Sequence, residues 1–193
     1  MLSHKKSLGI LRKTNALLEG HFILSSGLHS TKYIQCAKLL SYPKIASQIC
    51  FSLSKKIKKN FKKIDLILAP AMGGVIIGYE IGRLLNKETI FCERVNGKFK
   101  LRRGFHIKKK SNVLIIEDVI TTGKSSLECA KLIKSNKAVS IGYACLIDRS
   151  NGNSQIKNKI ISQVQLDIPT FTKDNLPKEL MSIEPVKPGS RNI

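Results

Sequence analysis

Long apolar runs, tryptophan and closely spaced cysteines are missing from this 193-residue chain. No stretch approaches the roughly 18 consecutive apolar residues that a membrane-spanning helix needs, and residues 1–6 lack the apolar run of a secretory signal. The five cysteines are scattered, odd in number and form no C-x-x-C pair, which argues against a disulfide framework or a zinc site. We therefore expect free thiols, a cytoplasmic location and no membrane partner.

Acidic residues are scarce as well. The chain has 13 Asp and Glu but 34 Lys and Arg, which gives a net charge of +21. Such a charge ordinarily favours nucleic-acid binding. The lysines, however, are spread along the whole chain, and aromatic residues make up only 6% of it. A solvated lysine surface fits this pattern better than a shaped nucleic-acid groove, and a polyanionic small substrate would gain from the same field. We expect a small-molecule ligand and no nucleic-acid partner.

The length indicates one domain that can bury a core without metals or disulfides. A helix is predicted over residues 5–19. Apolar strands and amphipathic helices then alternate from about residue 64. The predicted strands are 64–69, 89–92, 113–117 and 138–147, and two of the predicted helices end near residues 85 and 135. This βαβ alternation predicts an α/β fold with a parallel sheet flanked by helices.

The segment from Val113 to Ser125 carries the most chemistry. An apolar run with the composition of a buried parallel strand ends in Glu117 and Asp118. Open α/β sheets bind their ligands at the carboxyl ends of strands. The turn Thr121-Thr-Gly-Lys-Ser125 then offers amides and hydroxyls at a helix N-terminus, which is an anion site. Carboxylates for ribose hydroxyls beside amides for a phosphate indicate a ribose 5-phosphate site.

The ending Gly123-Lys124-Ser125 is also that of a phosphate-binding P-loop, so this alternative has to be considered. A P-loop requires glycine five positions before Gly123, and that position holds Asp118. A carboxylate there argues against a nucleoside triphosphatase. The remaining alternative is a buried strand with an acidic end and an ordinary helix cap.

The Val113–Ser125 segment resembles the phosphoribosyl diphosphate (PRPP) signature of the type I phosphoribosyltransferases. Five further segments, in family order, resemble the orotate phosphoribosyltransferases among them. They are Gly20-His-Phe-Ile-Leu-Ser-Ser-Gly27, Pro70-Ala-Met-Gly-Gly74, Glu93-Arg94 with Leu101-Arg-Arg-Gly-Phe105, Asp148-Arg149-Ser150, and Lys187-Pro-Gly-Ser-Arg191. Together these segments span nearly the whole chain, which makes the resemblance specific.

The resemblance implies the type I phosphoribosyltransferase fold in a single domain, residues 1–193. Its core would be residues 41–163, its mobile lid about residues 94–110, and a small hood would consist mainly of residues 1–40 and 164–193. The implied reaction is the Mg²⁺-dependent transfer of ribose 5-phosphate from PRPP to orotate in pyrimidine (UMP) synthesis, giving orotidine 5′-phosphate and diphosphate. The implied assembly is a homodimer in which each lid enters the partner's site.

The resemblance also implies roles for individual residues. PRPP would be bound by Glu117, Asp118, Val119, Ile120, Thr121, Thr122, Gly123, Lys124, Ser125, Gly73, Gly74 and Arg94. Orotate would be bound by Thr121, Arg149, Ser25 and Gly27. Catalysis would depend on Asp118, Glu117, Arg94, Lys98 and Lys100. Mg²⁺ would be held mainly by PRPP oxygens and water, with at most Asp118 as a protein ligand and no dedicated metal site.

This chain departs from one well-known branch of the family, which has a Lys-x-x-Lys-x-His lid and further lysines in the diphosphate loop and the hood. Here the lid begins Arg94-Val-Asn-Gly-Lys98, the diphosphate loop has Gly73, and the hood has Ser25. The sequence leaves open which lid cation meets the diphosphate, and whether His106 donates a proton or is incidental.

Several other interpretations stay open at this point. Gly73-Gly74 could be a plain strand-to-helix turn, and Asp148-Arg149 a surface ion pair. The rival functions are a purine phosphoribosyltransferase and a PRPP-binding regulatory protein on the same fold that uses its basic surface on nucleic acid.

Overall fold

A computed structural model describes residues 1–24 and 26–188 and contains two β-sheets with helices packed around the larger one. The helices are α1 (His4–Lys13), α2 (Cys36–Leu40), α3 (Pro43–Asn60), α4 (Gly73–Leu85), α5 (Lys124–Ser135) and α6 (Lys178–Met181), with a 3₁₀ turn at Lys173–Asn175. The strands are β1 (Leu17–Ile23), β2 (His29–Ile34), β3 (Leu66–Pro70), β4 (Glu88–Val95), β5 (Lys98–Leu101), β6 (Asn112–Ile120), β7 (Val139–Asp148), β8 (Ile160–Gln165) and β9 (Thr170–Phe171).

The larger sheet has the strand order β5-β4-β3-β6-β7-β8, and only β5 runs antiparallel. One face is covered by α3 and α4, which contribute Ile49, Leu53 and Ile77 to a buried cluster. The other face is covered by α5, which buries Cys129 and Ile133 in a second cluster. The predicted α/β class with a mostly parallel sheet flanked by helices is therefore confirmed.

Strand β8 was not predicted, and its pairing with β7 extends the sheet by one strand. The predicted boundary between core and hood, at residue 163, falls within this strand. Parallel strands usually need a crossover helix, yet residues 149–159 between β7 and β8 contain none. Helix α1 covers this part of the sheet instead, and the Gln163 amide donates to Ser7 Oγ over 2.8 Å.

The smaller sheet joins segments that lie far apart in the sequence. β1 pairs with β2, and β2 pairs with β9, both antiparallel. Residues near 186 add to the other edge of β1 through a bridge between Phe22 and Val186. This hood sheet therefore contains strands from both the first and the last third of the chain.

The prediction of a helix over residues 5–19 is wrong at its C-terminal end. Helix α1 stops at Lys13, Asn15 adopts a left-handed backbone with φ 54°, and Leu17 and Leu18 belong to β1. Leu17 and Leu18 continue the apolar spacing of the helix. The turn at Thr14-Asn15 nevertheless ends the helix, and pairing with β2 makes these two leucines part of a strand. Within residues 1–24 and 26–188, no helix is long and apolar enough to cross a membrane.

Candidate active site

The strand order places a crevice between the carboxyl ends of β3 and β6. From β3 the chain moves outward to β4, whereas from β6 it moves in the opposite direction through β7 to β8. Ligands of open α/β sheets bind where the order reverses in this way. The diphosphate loop (Met72-Gly73-Gly74) follows β3, and Glu117 and Asp118 lie near the end of β6. β6 continues to Ile120, three residues beyond its predicted end.

Glu117 and Asp118 are two largely buried carboxyl groups on consecutive residues. Burial, with further contributions from Asp118 and Cys92, raises the pKa of Glu117 to about 8, while Ser126 and Arg94 oppose the shift. Burial also raises the pKa of Asp118, although its Oδ1 accepts a 2.8 Å hydrogen bond from the Val119 amide. Negative charge at this pair is therefore poorly compensated by the protein, which suits groups that bind hydroxyls or a cation.

Gly73 faces the carboxylate of Asp118 so closely that no side chain fits between them. A Cβ on Gly73 would lie 2.5 Å from Asp118 Oδ2. A Cβ on Gly74 would lie 3.0 Å from the carbonyl oxygen of Ile116. The two glycines therefore do more than form a strand-to-helix turn, because they let the diphosphate loop approach the carboxylates of β6.

The turn after β6 presents an open helix N-terminus beside these carboxylates. Gly123 adopts φ 79° and is the N-cap residue of α5, where it has no side chain to cap the helix. The Lys124 amide donates to Thr122 Oγ1 over 3.4 Å, and the amides of Ser125 and Ser126 that follow have no side-chain cap from a described residue. Thr121 and Thr122 are exposed, and the Thr122 carbonyl accepts from the Gln155 amide at 2.9 Å. Uncapped first-turn amides with nearby hydroxyls make an anion site next to the carboxyl pair.

Arg149 follows β7 and lies beside that turn. Its amide donates to the carbonyl oxygen of Ile120 at 2.9 Å. Its Nε is buried without a hydrogen-bond partner among the described residues, and burial lowers the pKa of the guanidinium. Asp148 instead accepts a 2.9 Å hydrogen bond from the Ser150 amide, and no described residue forms an ion pair with Arg149. The surface ion-pair interpretation is therefore wrong.

Only some of the hood residues that the sequence points to lie within the described structure. Gly27 has φ 82°, and its amide donates to the Leu24 carbonyl at 2.9 Å in the loop between β1 and β2. Ser25 lies outside the described residues, as do Gly189, Ser190 and Arg191 of the C-terminal segment.

The lid segment begins as the β4–β5 hairpin. Its turn residues Asn96 and Gly97 both have positive φ, as a tight hairpin turn requires. Within this segment, Phe99 and Ile107 are buried in the second hydrophobic cluster. Lys98 and Lys100 are exposed on the opposite face of β5 from Phe99.

Arg94 is held within its own chain. Its guanidinium lies 2.8 Å from Glu128 of α5, donates to the Gly97 carbonyl at 2.7 Å and stacks over the Phe99 ring at 4.1 Å. The contact with Glu128 could not be predicted from the sequence, since the two residues are separated by 34 positions and lie on different elements. Glu128 thus determines where one of the predicted lid cations lies.

No metal cluster is built into the described part of the chain. Residues 1–24 and 26–188 contain no group of three or more His, Cys, Asp or Glu side chains placed to hold a metal ion. The available oxygen donors at the crevice are the carboxylates of Glu117 and Asp118.

Comparison with known proteins gives a consistent result. A family model described as phosphoribosyl transferase domain matches residues 37–175. Orotate phosphoribosyltransferase of Methylorubrum populi is 47% identical over 183 residues, covering 94% of this chain and 93% of the relative. The enzyme of that name from Parvibaculum lavamentivorans is 44% identical over 193 residues, covering 100% of both chains.

Solved structures show the same fold at lower sequence identity. Orotate phosphoribosyltransferase from Aeropyrum pernix superposes with a TM-score of 0.71 at 24% identity, covering 82% of this chain and 92% of that one. UMP synthase from Leishmania donovani superposes with a TM-score of 0.69 at 21% identity, covering 86% of this chain and 37% of that one.

Proposed function

The chain belongs to the phosphoribosyltransferase family and, within it, to the orotate phosphoribosyltransferases, and from that premise we propose how it carries out the reaction. It transfers ribose 5-phosphate from PRPP to a ring nitrogen of orotate, in the presence of Mg²⁺, and releases orotidine 5′-phosphate and diphosphate. The product is an intermediate of pyrimidine (UMP) synthesis. The observation that carries the proposal is that Asp118, of the carboxyl pair on β6, faces Gly73 at the crevice where the strand order reverses.

PRPP binds across the β6–α5 junction. The uncapped amides and the hydroxyls of residues 121–125 hold the 5-phosphate, and Glu117 and Asp118 hold the ribose hydroxyls. The backbone of Gly73 and Gly74 contacts the diphosphate, because neither residue carries a side chain that would keep the ligand away. As the bond to diphosphate breaks, positive charge develops on the sugar, which the ionised carboxylates stabilise.

Mg²⁺ fits the donor chemistry of this crevice. Burial raises the pKa values of Glu117 and Asp118, so a cation would favour their ionised forms, and carboxylate oxygens are the ligands that Mg²⁺ prefers. Asp118 is the protein ligand that we propose, and the remaining ligands are substrate oxygens and water. When held there, Mg²⁺ would supply positive charge to neutralise the diphosphate leaving group.

Orotate binds beside the turn, between Arg149 and the hood. The buried, unpartnered Nε of Arg149 has the geometry to donate to a carboxylate or to adjacent ring oxygens. Orotate carries such a carboxylate, whereas adenine and hypoxanthine do not. Thr121, Ser25 and Gly27 complete the acceptor site.

The enzyme works as a homodimer in which the lid of one subunit reaches the diphosphate of its partner. Exposed apolar residues Met72, Ile76 and Tyr79 lie at or just after the diphosphate loop, and a second subunit would cover them. Arg94 is engaged by Glu128 in its own chain, so Lys98 and Lys100 are the lid cations best placed to cross the interface. The five buried, unpaired cysteines suit a reducing cytoplasm.

A single assay tests the proposal. Purified protein with Mg²⁺ and PRPP should consume orotate, measured as loss of its ultraviolet absorbance, and should leave adenine and hypoxanthine unchanged. Turnover of a purine instead would identify a purine enzyme. PRPP binding without turnover of any base would support a regulatory protein.

A further inference from the structure

Two buried histidines in the hood sheet have no part in the reaction described above. His21 and His29 are 4% and 6% exposed, and they lie on the paired strands β1 and β2. His21 Nε2 is 2.6 Å from His29 Nδ1, and His21 Nδ1 is 2.8 Å from the carbonyl oxygen of Ile183. The imidazole pair therefore links the β1–β2 hairpin to a segment more than 150 residues away.

The positions of the protons in the neutral pair follow from the last acceptor. A carbonyl oxygen only accepts, so His21 Nδ1 must carry a hydrogen and donate it to Ile183. His21 Nε2 then has a lone pair, and His29 Nδ1 must donate to it. The chain of bonds runs in one direction, from His29 through His21 to Ile183, and fixes the tautomer of each ring.

Both ends of this chain of hydrogen bonds lie next to segments in which the sequence resembles the orotate phosphoribosyltransferases. On one side, the Val186 amide donates to the His21 carbonyl at 2.8 Å and the Val186 carbonyl accepts from the Ile23 amide at 2.9 Å. Val186 directly precedes the Lys187–Arg191 segment. On the other side, Ile23 pairs with His29, and the Leu24 amide donates to the Leu28 carbonyl at 2.8 Å around the loop that contains Gly27.

We propose that His21 and His29 are positioning residues for orotate. They hold the loop that contains Gly27 and the chain at Ile183 and Val186 in one fixed arrangement, so that this loop approaches the acceptor from a defined direction. The inference rests on the proposed function, since it assigns the acceptor to this side of the crevice. The PRPP site is built on β6 and α5, in the other sheet, and does not depend on the imidazole pair.

The test uses two substitutions at one position. His29→Leu introduces an apolar side chain of similar size and leaves His21 Nε2 buried without a donor. His29→Asn retains an N–H close to the place of imidazole Nδ1 and should restore the bond. We expect His29→Leu to raise the KM for orotate about tenfold, the effect of losing one buried hydrogen bond and leaving its partner unsatisfied. The KM for PRPP and kcat should stay within about twofold, and His29→Asn should resemble the unaltered protein.

Ser30→Ala provides the matched control. Ser30 is the next residue of β2 and is fully buried, and its hydroxyl lies within hydrogen-bond distance of the carbonyl oxygens of Lys32 (3.0 Å) and Pro169 (3.3 Å). Its loss should lower hood stability without changing the KM for orotate. Hydrogen exchange at the Val186 amide should accelerate in His29→Leu and not in Ser30→Ala.

The outcomes separate the two proposals. If the unaltered protein does not use orotate, both the proposed function and this inference are wrong. If it does use orotate but His29→Leu changes both KM values equally, or neither, the imidazole pair is only a structural contact and the function stands.

Discussion

The donor and acceptor halves of the crevice are built in different ways. The donor half comes from adjacent strands of one sheet, where the register of β3 and β6 brings Gly73 against Asp118. The acceptor half combines Arg149, after β7, with a hood loop near residue 27 and a segment near residue 186. The donor half therefore depends on the buried sheet, whereas the acceptor half depends on a few polar contacts between distant segments. Changes to each half should consequently have separable effects.

The largest effect is expected from Asp118→Asn. The substitution keeps the shape but removes the charge that stabilises the developing positive sugar, so kcat/KM should fall by about a thousandfold. Steady-state kinetics with varied PRPP measures this loss, and thermal unfolding should remain cooperative. Asp65→Asn, just before the amino end of the neighbouring strand β3, is the control and should retain activity. A mutant that fails to fold would mean that Asp118 has a structural role instead.

Arg149→Ala should distinguish the acceptor half from the donor half most clearly, because it should affect orotate and not PRPP. Loss of the guanidinium removes a charge-assisted contact to orotate, so kcat/KM for orotate should fall about a hundredfold while the Kd of PRPP changes less than twofold. Arg12→Ala, on the surface beside Glu19, should change neither. Equal losses for both substrates would place Arg149 in the donor half.

The Glu117 carboxyl should make stability depend on pH. Its pKa is about 8 in the folded protein against an ordinary value of 4.5, so the folded state holds a proton that the unfolded chain releases. The associated stability is complete below pH 4.5 and is lost as the pH rises toward 8. Between about pH 5.5 and 7.5, the free energy of unfolding should fall by on the order of 2 kcal/mol more than in Glu117→Gln.

Urea unfolding of both proteins without PRPP measures this difference. Parallel stability curves for the two proteins would contradict the raised pKa. Adding PRPP and Mg²⁺ should reduce the pH dependence, because ligands that bind the ionised carboxyl stabilise that form.

The smallest effect is expected from Gly73→Ala. A Cβ there would displace the Asp118 carboxylate, which should raise the KM for PRPP about tenfold through misplacement of one donor contact. Gly9→Ala is the control, since nothing lies within 4 Å of a Cβ at that position, and it should keep both KM values. An unchanged KM for PRPP would show that Asp118 can move without consequence.

The same division explains what could be predicted from the sequence. The strand at 113–117, the carboxyl pair and the helix beginning at Lys124 are adjacent in the chain, and their periodicity and turn residues indicate the structure locally. Helix α3 likewise begins at Pro43, a residue that suits the first turn of a helix. These elements are determined by neighbouring residues, so the sequence carries enough information.

Features that depend on distant contacts could not be predicted. Leu17 and Leu18 had helical spacing but joined β1 because β2 was available for pairing. The ion pair of Arg94 with Glu128 and the contact between His21 and Ile183 join elements whose proximity only the fold reveals. The roles assigned to the site residues stay predictions until the substitutions are measured.

The hood sheet also constrains the order in which the chain acquires structure during synthesis. Strands β3 to β8 can pair once the ribosome has released residue 165, and β1 can pair with β2 early, but the hood sheet is completed only when β9 and Val186 have been released. Bringing β9 and Val186 back to β1 and β2 closes a long loop, and the conformational entropy of that loop is lost before the new contacts form. A nascent chain would therefore complete its PRPP half first and gain its orotate half only near the end of translation.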